Sequence, residues 1–212
     1  MSDKQYITSL IAEGEHEHQD FKYQISDARK IARSISAFAN HAGGHLLIGV
    51  KDNGAIAGVS SDEEMYMIEQ AANMYCQPPQ QALFSLFCVD GKSILKADIA
   101  PATEKPVKAQ DDHGHWKAYY RVADENVLAS AMHVRLMQRD CTEEAPVVIS
   151  YSEREQALLD YLENHGGITL SGYARLAHCS RRSAEQSVLN LCEMSVVALE
   201  YHNGQCLITK NN

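Results

Sequence analysis

Apolar positions along the chain fall into short blocks with two distinct periods. Within residues 28–42, Ile31, Ile35 and Phe38 recur at i, i+4 and i+7, and Ala28, Ala32, Ala39 and Ala42 widen the stripe. That spacing predicts an amphipathic helix. Ser26 or Asp27 can cap its start, Gly43-Gly44 ends it, and Arg29, Lys30 and Arg33 fall away from the apolar stripe. Further helices are predicted over 5–12, over 62–76 up to the break at Pro78-Pro79, and over 130–138. The nearly unbroken apolar run 45–50 predicts a strand buried on both faces. A turn at Asp52-Asn53-Gly54 and a second strand over 55–59 would make it a hairpin. Segments 83–89 and 93–99 flank Asp90-Gly91, a strong hairpin turn, and 116–122 reads as one more strand. Together these predict an α+β unit with a mixed, largely antiparallel sheet and flanking helices.

After residue 139 the pattern changes. Residues 140–150 are acidic, contain Pro146 and have no periodicity, as a linker does. Ser152-Glu153-Arg154-Glu155 is a capping box, opening a helix whose apolar face is Ala157, Leu158, Tyr161 and Leu162. A short helix follows over 169–177. Ser180 caps a third helix, with Ala184, Val188, Leu191 and Cys192 as its stripe. Strands over 196–202 and 205–209 flank Asn203-Gly204, a hairpin signal. Three helices followed by a two-stranded wing predict a winged helix-turn-helix. The expected organisation is therefore one domain over 1–139, a linker over 140–150 and a second domain over 151–212.

A length of 212 residues, 45% hydrophobic and 22% charged, suits two small folded domains and excludes a mainly disordered chain. No apolar run approaches the ~20 residues of a spanning helix, and the first residues lack the apolar core of a secretory signal. A cytoplasmic protein with no membrane partner is expected. The six cysteines contain no Cys-x-x-Cys pair and read as thiols in a reducing compartment. The 19 basic and 28 acidic residues give a formal net charge of −9, which argues against coating nucleic acid through bulk charge. Residues 1–139 carry 14 basic and 18 acidic side chains, and residues 151–212 carry 5 and 7. Nucleic-acid contact would therefore have to rest on particular cations.

The most specific stretch is Gly14-Glu15-His16-Glu17-His18-Gln19-Asp20-Phe21-Lys22, followed by Ala37-Phe38-Ala39-Asn40-His41-Ala42-Gly43-Gly44 and the strand and turn through Asp52-Asn53-Gly54. It resembles the Schlafen AlbA-like domain, whose pattern is Gly-Glu-x4-Glu-Phe-Lys, then Ala-Phe-Ala-Asn-x-x-Gly-Gly, then a strand and an Asp-x-Gly turn. Pro78-Pro79, the Pro106 region and Tyr119-Tyr120-Arg121-Val122 match the same layout, so the resemblance covers residues 5–135. It departs from the pattern at Asp20, where the family has glutamate, and at His18-Gln19, where more apolar residues are usual. The resemblance implies a bacterial protein of the kind described as a transcriptional regulator, in which this domain precedes a winged helix. It also implies an alternative: some Schlafen proteins bind a divalent metal through carboxylates at the positions of Glu15, Asp20 and Asp52 and cleave RNA. Clustered carboxylates suit Mg²⁺ or Mn²⁺, which activates water against a phosphodiester. Otherwise no cofactor is expected. The family has carried an ATPase-like label, but no Gly-x4-Gly-Lys-Ser/Thr pattern supports ATP.

The remaining chemistry is histidine and arginine. His16/His18, His41/His45 and His113/His115 are pairs, none joined by cysteines or carboxylates at zinc-site spacing. Lys22, Arg29, Lys30 and Arg33 lie near the motif and can meet phosphates. Arg181 and Arg182 stand in the first turn of the third helix of the C-terminal unit, where recognition helices meet DNA, and Gln186 continues that face. The expected function is DNA binding in transcriptional regulation, as a homodimer on a palindromic site. The alternatives are the metal-dependent ribonuclease and a protein-interaction module; an enzymatic role is not the main expectation.

Overall fold

The computed structural model describes residues 2–139, 152–202 and 204–211. It divides into two compact units, Met1–Ala129 and Ser130–Asn212. The linker expected over 140–150 lies outside the described residues.

The N-terminal unit is α+β. It contains α1 (Asp3–Glu13), β1 (Gln19–Lys22), α2 (Ala28–Asn40), β2 (Gly44–Ile48), α3 (Ser61–Met74), β3 (Cys76–Gln77), β4 (Ala82–Val89), β5 (Lys92–Ile99), β6 (Lys108–Gln110), β7 (Trp116–Val122) and β8 (Glu125–Leu128). One sheet has the order β1-β2-β5-β4 and the other β3-β6-β7-β8. Only the β1–β2 pair is parallel, with Asp20 beside Leu46; the other pairs are antiparallel. Side chains on β2 and β5 alternate between two cores. Leu46, Ile48, Leu95, Ala97 and Ile99 face α2 and α3. Leu47 and Ile94 join Ile7 and Leu10 of α1 with Phe21, Val50 and Val89.

Asp27 caps α2 by accepting from the Arg29 N–H. This helix touches strands of both sheets, which explains why Ser34, Ser36 and Asn40 are buried along with its apolar stripe.

The hairpin expected over 45–50 and 55–59 does not form. Both edges of β2 are already taken, by β1 and by β5, so no edge remains for a local partner. Residues 55–59 run as a loop, with one isolated bridge, Val50–Ile56, and bonds from the Ala57 and Gly58 N–H groups to Gly49 O.

Gly43-Gly44 lets the end of α2 lie close to the sheet. A Cβ on Gly44 would sit 2.4 Å from Phe38 Cδ1 and 2.8 Å from the His18 carbonyl oxygen. Gly44→Ala is therefore expected to cost ~1–3 kcal/mol through overpacking. Gly166→Ala, which would meet nothing within 4 Å, should stay within ~0.5 kcal/mol of wild type. Urea midpoints of the two variants check this pair; equal midpoints would contradict the close-approach reading.

The C-terminal unit holds α4 (Ala131–Arg139), α5 (Glu153–Asn164), α6 (Leu170–Leu176), α7 (Arg181–Glu193), β9 (Val197–His202) and β10 (Gln205–Lys210). Thus four helices precede an antiparallel hairpin, and Ile168 adds a bridge to Ile208. The Ser152/Glu155 capping box forms, and Thr169 and Ser180 cap α6 and α7. Tyr173, Leu158, Val188, Leu191 and Ile208 make the core. The sequence places α4 at the end of the first domain, but it packs with this second unit. Met132 is buried in the same core, with Leu136 against it. Arg135 pairs with Glu185 of α7 at 2.5 Å, and Arg139 with Glu193 at 2.7 Å. Among the described residues, no helix is long and apolar enough to cross a membrane.

Candidate functional site

The Glu15–Lys22 stretch is folded into a fixed loop and strand. Gln19 is completely buried; its Nε2 donates to Leu10 O at 2.7 Å and Gly14 O at 2.6 Å. Its Oε1 lies 2.8 Å from His45 Nε2, and an amide oxygen only accepts, so His45 is the donor. Burial pushes the His45 imidazole down to about 4, leaving it neutral near neutral pH. The His18 O accepts from His45 N at 2.8 Å and ties the loop to β2.

Two of the three carboxylates singled out by the sequence come together here. Glu15 accepts from Phe21 N at 2.9 Å. Asp20 is buried, bonded to Lys22 Nζ at 2.6 Å and to Ser34 Oγ at 3.3 Å. Burial, and then the hydrogen bond shared with Asp20, raise the Glu15 carboxyl above its ordinary range. Asp52 instead stands exposed in the turn closed by the Gly54 N–H to Lys51 O bond. Glu15, Asp20 and Asp52 thus do not make a converging three-carboxylate metal site. Among the described residues, the ligand-type side chains that do converge are Glu17, His18 and His41, whose ligand atoms lie within 4.8 Å of one another.

The residue that sequence reasoning passed over is Arg121 of β7. It is only 3% exposed. Its Nη2 donates to His16 O at 2.7 Å and reaches Gln19 O at 3.4 Å, and its Nη1 donates to Asn126 Oδ1 at 2.9 Å. The guanidinium lies over the Phe38 ring, 4.8 Å from its centre. Asn126 donates to Ser34 Oγ at 2.9 Å, and Ser34 returns the chain of bonds to Asp20. A closed polar network therefore links the carboxylate pair to β7. The signals for it in the sequence were a charged residue within an otherwise strand-like run and the match of Tyr119-Tyr120-Arg121-Val122 to the family layout, neither of which gave it a role.

The basic residues on and near α2 are largely engaged. Lys22 holds Asp20, Arg29 stacks over Tyr75 at 4.9 Å, Arg33 pairs with Asp112 at 3.3 Å, and Lys30 is exposed. His113 and His115 sit on an exposed loop around Asp111, which accepts both of their backbone N–H groups at 2.9 Å. In the C-terminal unit, Arg181, Arg182 and Gln186 are exposed on α7. They line a groove with Arg135, Gln138 and Arg139 of α4. Gln186 donates to Asn190 at 3.0 Å.

No curated protein matches the sequence. Among solved structures, the chain is similar to the DIP2311 protein of Corynebacterium diphtheriae, with a TM-score of 0.49 and 16% identity over 99% of this chain. It spans 50% of that protein's length. It is also similar to the N-terminal domain of an ATP-dependent DNA helicase RecG-related protein of Nitrosomonas europaea, with a TM-score of 0.44 and 22% identity. That likeness covers 62% of this chain and 96% of the other. The family described as Schlafen, AlbA_2 matches residues 15–130.

Proposed function

The chain belongs to the Schlafen AlbA_2 family, and from that premise we propose that it binds DNA and acts in transcriptional regulation as a homodimer. In this reading α5–α7 and the β9–β10 hairpin are a winged helix, with α7 as the recognition helix. The observation that carries it is the α4–α7 groove. Seven basic residues lie in 130–212, and four of them, Arg135, Arg139, Arg181 and Arg182, line this groove. Arg135 and Arg139 are occupied with Glu185 and Glu193. Arg181 and Arg182 form no ion pair among the described residues and stand at the N-terminal turn of α7, where the helix dipole also favours phosphate. A local cationic strip on an acidic protein is what phosphate contact requires here, since bulk charge opposes it. Arg182, one turn before Gln186, is placed to read a base edge, and Arg181 to meet phosphate.

The nuclease alternative needs three converging carboxylates, and the structure supplies two, both already bonded within the protein.

A binding titration of the full chain against genomic duplex fragments, at two salt concentrations, tests the proposal. Wild type should bind, with affinity falling steeply as salt rises. Arg181→Ala/Arg182→Ala should weaken binding ~10-fold or more, and lower the salt slope by about 1 for each arginine that meets a phosphate. Lys30→Ala should change little if binding rests on the C-terminal unit. Wild type that binds no fragment at low salt, or a double variant that binds equally well, would turn the reading toward a protein-interaction module.

A further inference from the structure

The geometry points to a binding site for one Zn²⁺-type cation formed by Glu17, His18 and His41, apart from the Glu15–Asp20 pair and independent of the DNA reading. Three features support it.

First, the ligand atoms of the three side chains already lie within 4.8 Å of one another. Ligands of a tetrahedral zinc stand about 3.4 Å apart, given Zn–N bonds of ~2.0–2.1 Å. A small contraction suffices, and Glu17 is exposed and able to rotate inward. Second, both histidines are held on fixed backbone. His18 lies within the turn closed by the His16–Gln19 bridge, and its carbonyl is tied to β2. His41 ends α2, its N–H bonded to Phe38 O at 3.1 Å. The two rings lie 5.6 Å apart, centre to centre.

Third, the hydrogen bonding suits ligation. His18 Nδ1 is 2.9 Å from Gly43 O. A carbonyl only accepts, so Nδ1 carries the proton and Nε2 keeps its lone pair outward. A ligating histidine whose other ring nitrogen donates to a backbone carbonyl is the usual outer arrangement of zinc sites. The buried Nδ1 of His41 has no hydrogen-bond partner among the described residues, so no bond from it opposes ligation.

Two imidazoles and one carboxylate suit zinc, cobalt or nickel and do not suit Mg²⁺ or Ca²⁺, which prefer all-oxygen shells. A fourth position would remain for water. His18 also lines a surface cleft with Leu83, Asp98 and Pro101, which provides an entry path. Lys105, bonded through Nζ to the His41 carbonyl at 3.3 Å, and the nearby Arg121 guanidinium both repel a cation. The Glu17 carboxylate is therefore required, and not merely helpful.

The test is a titration of the full chain with Zn²⁺ against a chromophoric chelator, together with visible spectra of the Co²⁺ form. Wild type should take up one equivalent and give a d–d spectrum free of the thiolate charge-transfer band. Glu17→Gln and His18→Gln should each weaken binding ~10-fold or more, at least what loss of an outer-shell partner costs. His113→Gln should bind as wild type does. Glu17 is exposed, so its variant will fold, and circular dichroism verifies folding for His18→Gln. No uptake by wild type, uptake unchanged in either ligand variant, or a thiolate band assigning the metal to cysteines would each overturn the site.

Discussion

Replacing Asn40 with alanine is expected to destabilise the N-terminal unit by about 3–5 kcal/mol, a large share of the ~5–15 kcal/mol by which a domain is usually stable. Asn40 is buried at the last turn of α2. Its Oδ1 accepts from Val107 N at 2.7 Å, and its Nδ2 donates to Val107 O and to Tyr119 O, both at 2.8 Å. One turn earlier, Ser36 Oγ donates to Val107 O at 2.8 Å and accepts from Tyr119 N at 3.2 Å. The pair clamps α2 to the segment entering β6 and to β7. Truncation leaves the Val107 N–H and the Tyr119 carbonyl without these partners, each at ~1–3 kcal/mol, and adds a small void. Asn40→Asp keeps the acceptor for Val107 N but turns a carboxylate oxygen toward two carbonyls, and is expected to be no better than alanine. Urea unfolding of both variants decides it. An Asn40→Ala variant within ~1 kcal/mol of wild type would show that the clamp is dispensable.

That role explains why the Ala37-Phe38-Ala39-Asn40 motif is legible in the sequence. Each of its positions answers to local geometry: a helix period, a buried ring under Gly44, a polar last turn. The hairpin β4–β5, strand β7 and the caps at Asp27, Ser152 and Ser180 were legible for the same reason, because their signals lie within a few residues. What was not legible depends on distant partners. β1 is a polar Gln-Asp-Phe-Lys run made a strand by parallel pairing with β2. That pairing in turn denied residues 55–59 their expected place. β3, β6 and β8 span only two to four residues, too few for any period to show. α4 has an apolar stripe that would fit either unit, and only tertiary packing assigns it to the second. In the same way, nothing in the spacing of Glu17, His18 and His41 announces that three side chains from a loop and a helix end will meet.

Arg121 is the position where removing one side chain should most disturb the carboxylate pair. Arg121→Met is expected to cost ~3–5 kcal/mol, the range for breaking a buried charge arrangement by deleting one partner. The backbone oxygens of His16 and Gln19 and the side chain of Asn126 would lose their donor, and Glu15 and Asp20 would lose a buried cation that acts on them beside Lys22. The loss should depend on pH. The folded-state affinity of Glu15 for its proton is raised, first by burial and then by its bond to Asp20. A carboxyl raised in this way favours the fold below its unfolded pKa, and that contribution is lost as pH rises through the folded value. Removing the Arg121 charge raises the folded value further. The deficit of Arg121→Met relative to wild type should therefore be largest near neutrality and shrink between about pH 7 and about pH 5. Arg121→Lys keeps the charge but not the planar fork that reaches Asn126 and the His16 carbonyl together. It should lose stability with a pH dependence close to that of wild type. Chemical denaturation of the three proteins at both pH values separates the two contributions. If the methionine and lysine variants show the same deficit at both, the guanidinium acts through its hydrogen bonds alone, and its charge has no part in holding Glu15 and Asp20 together.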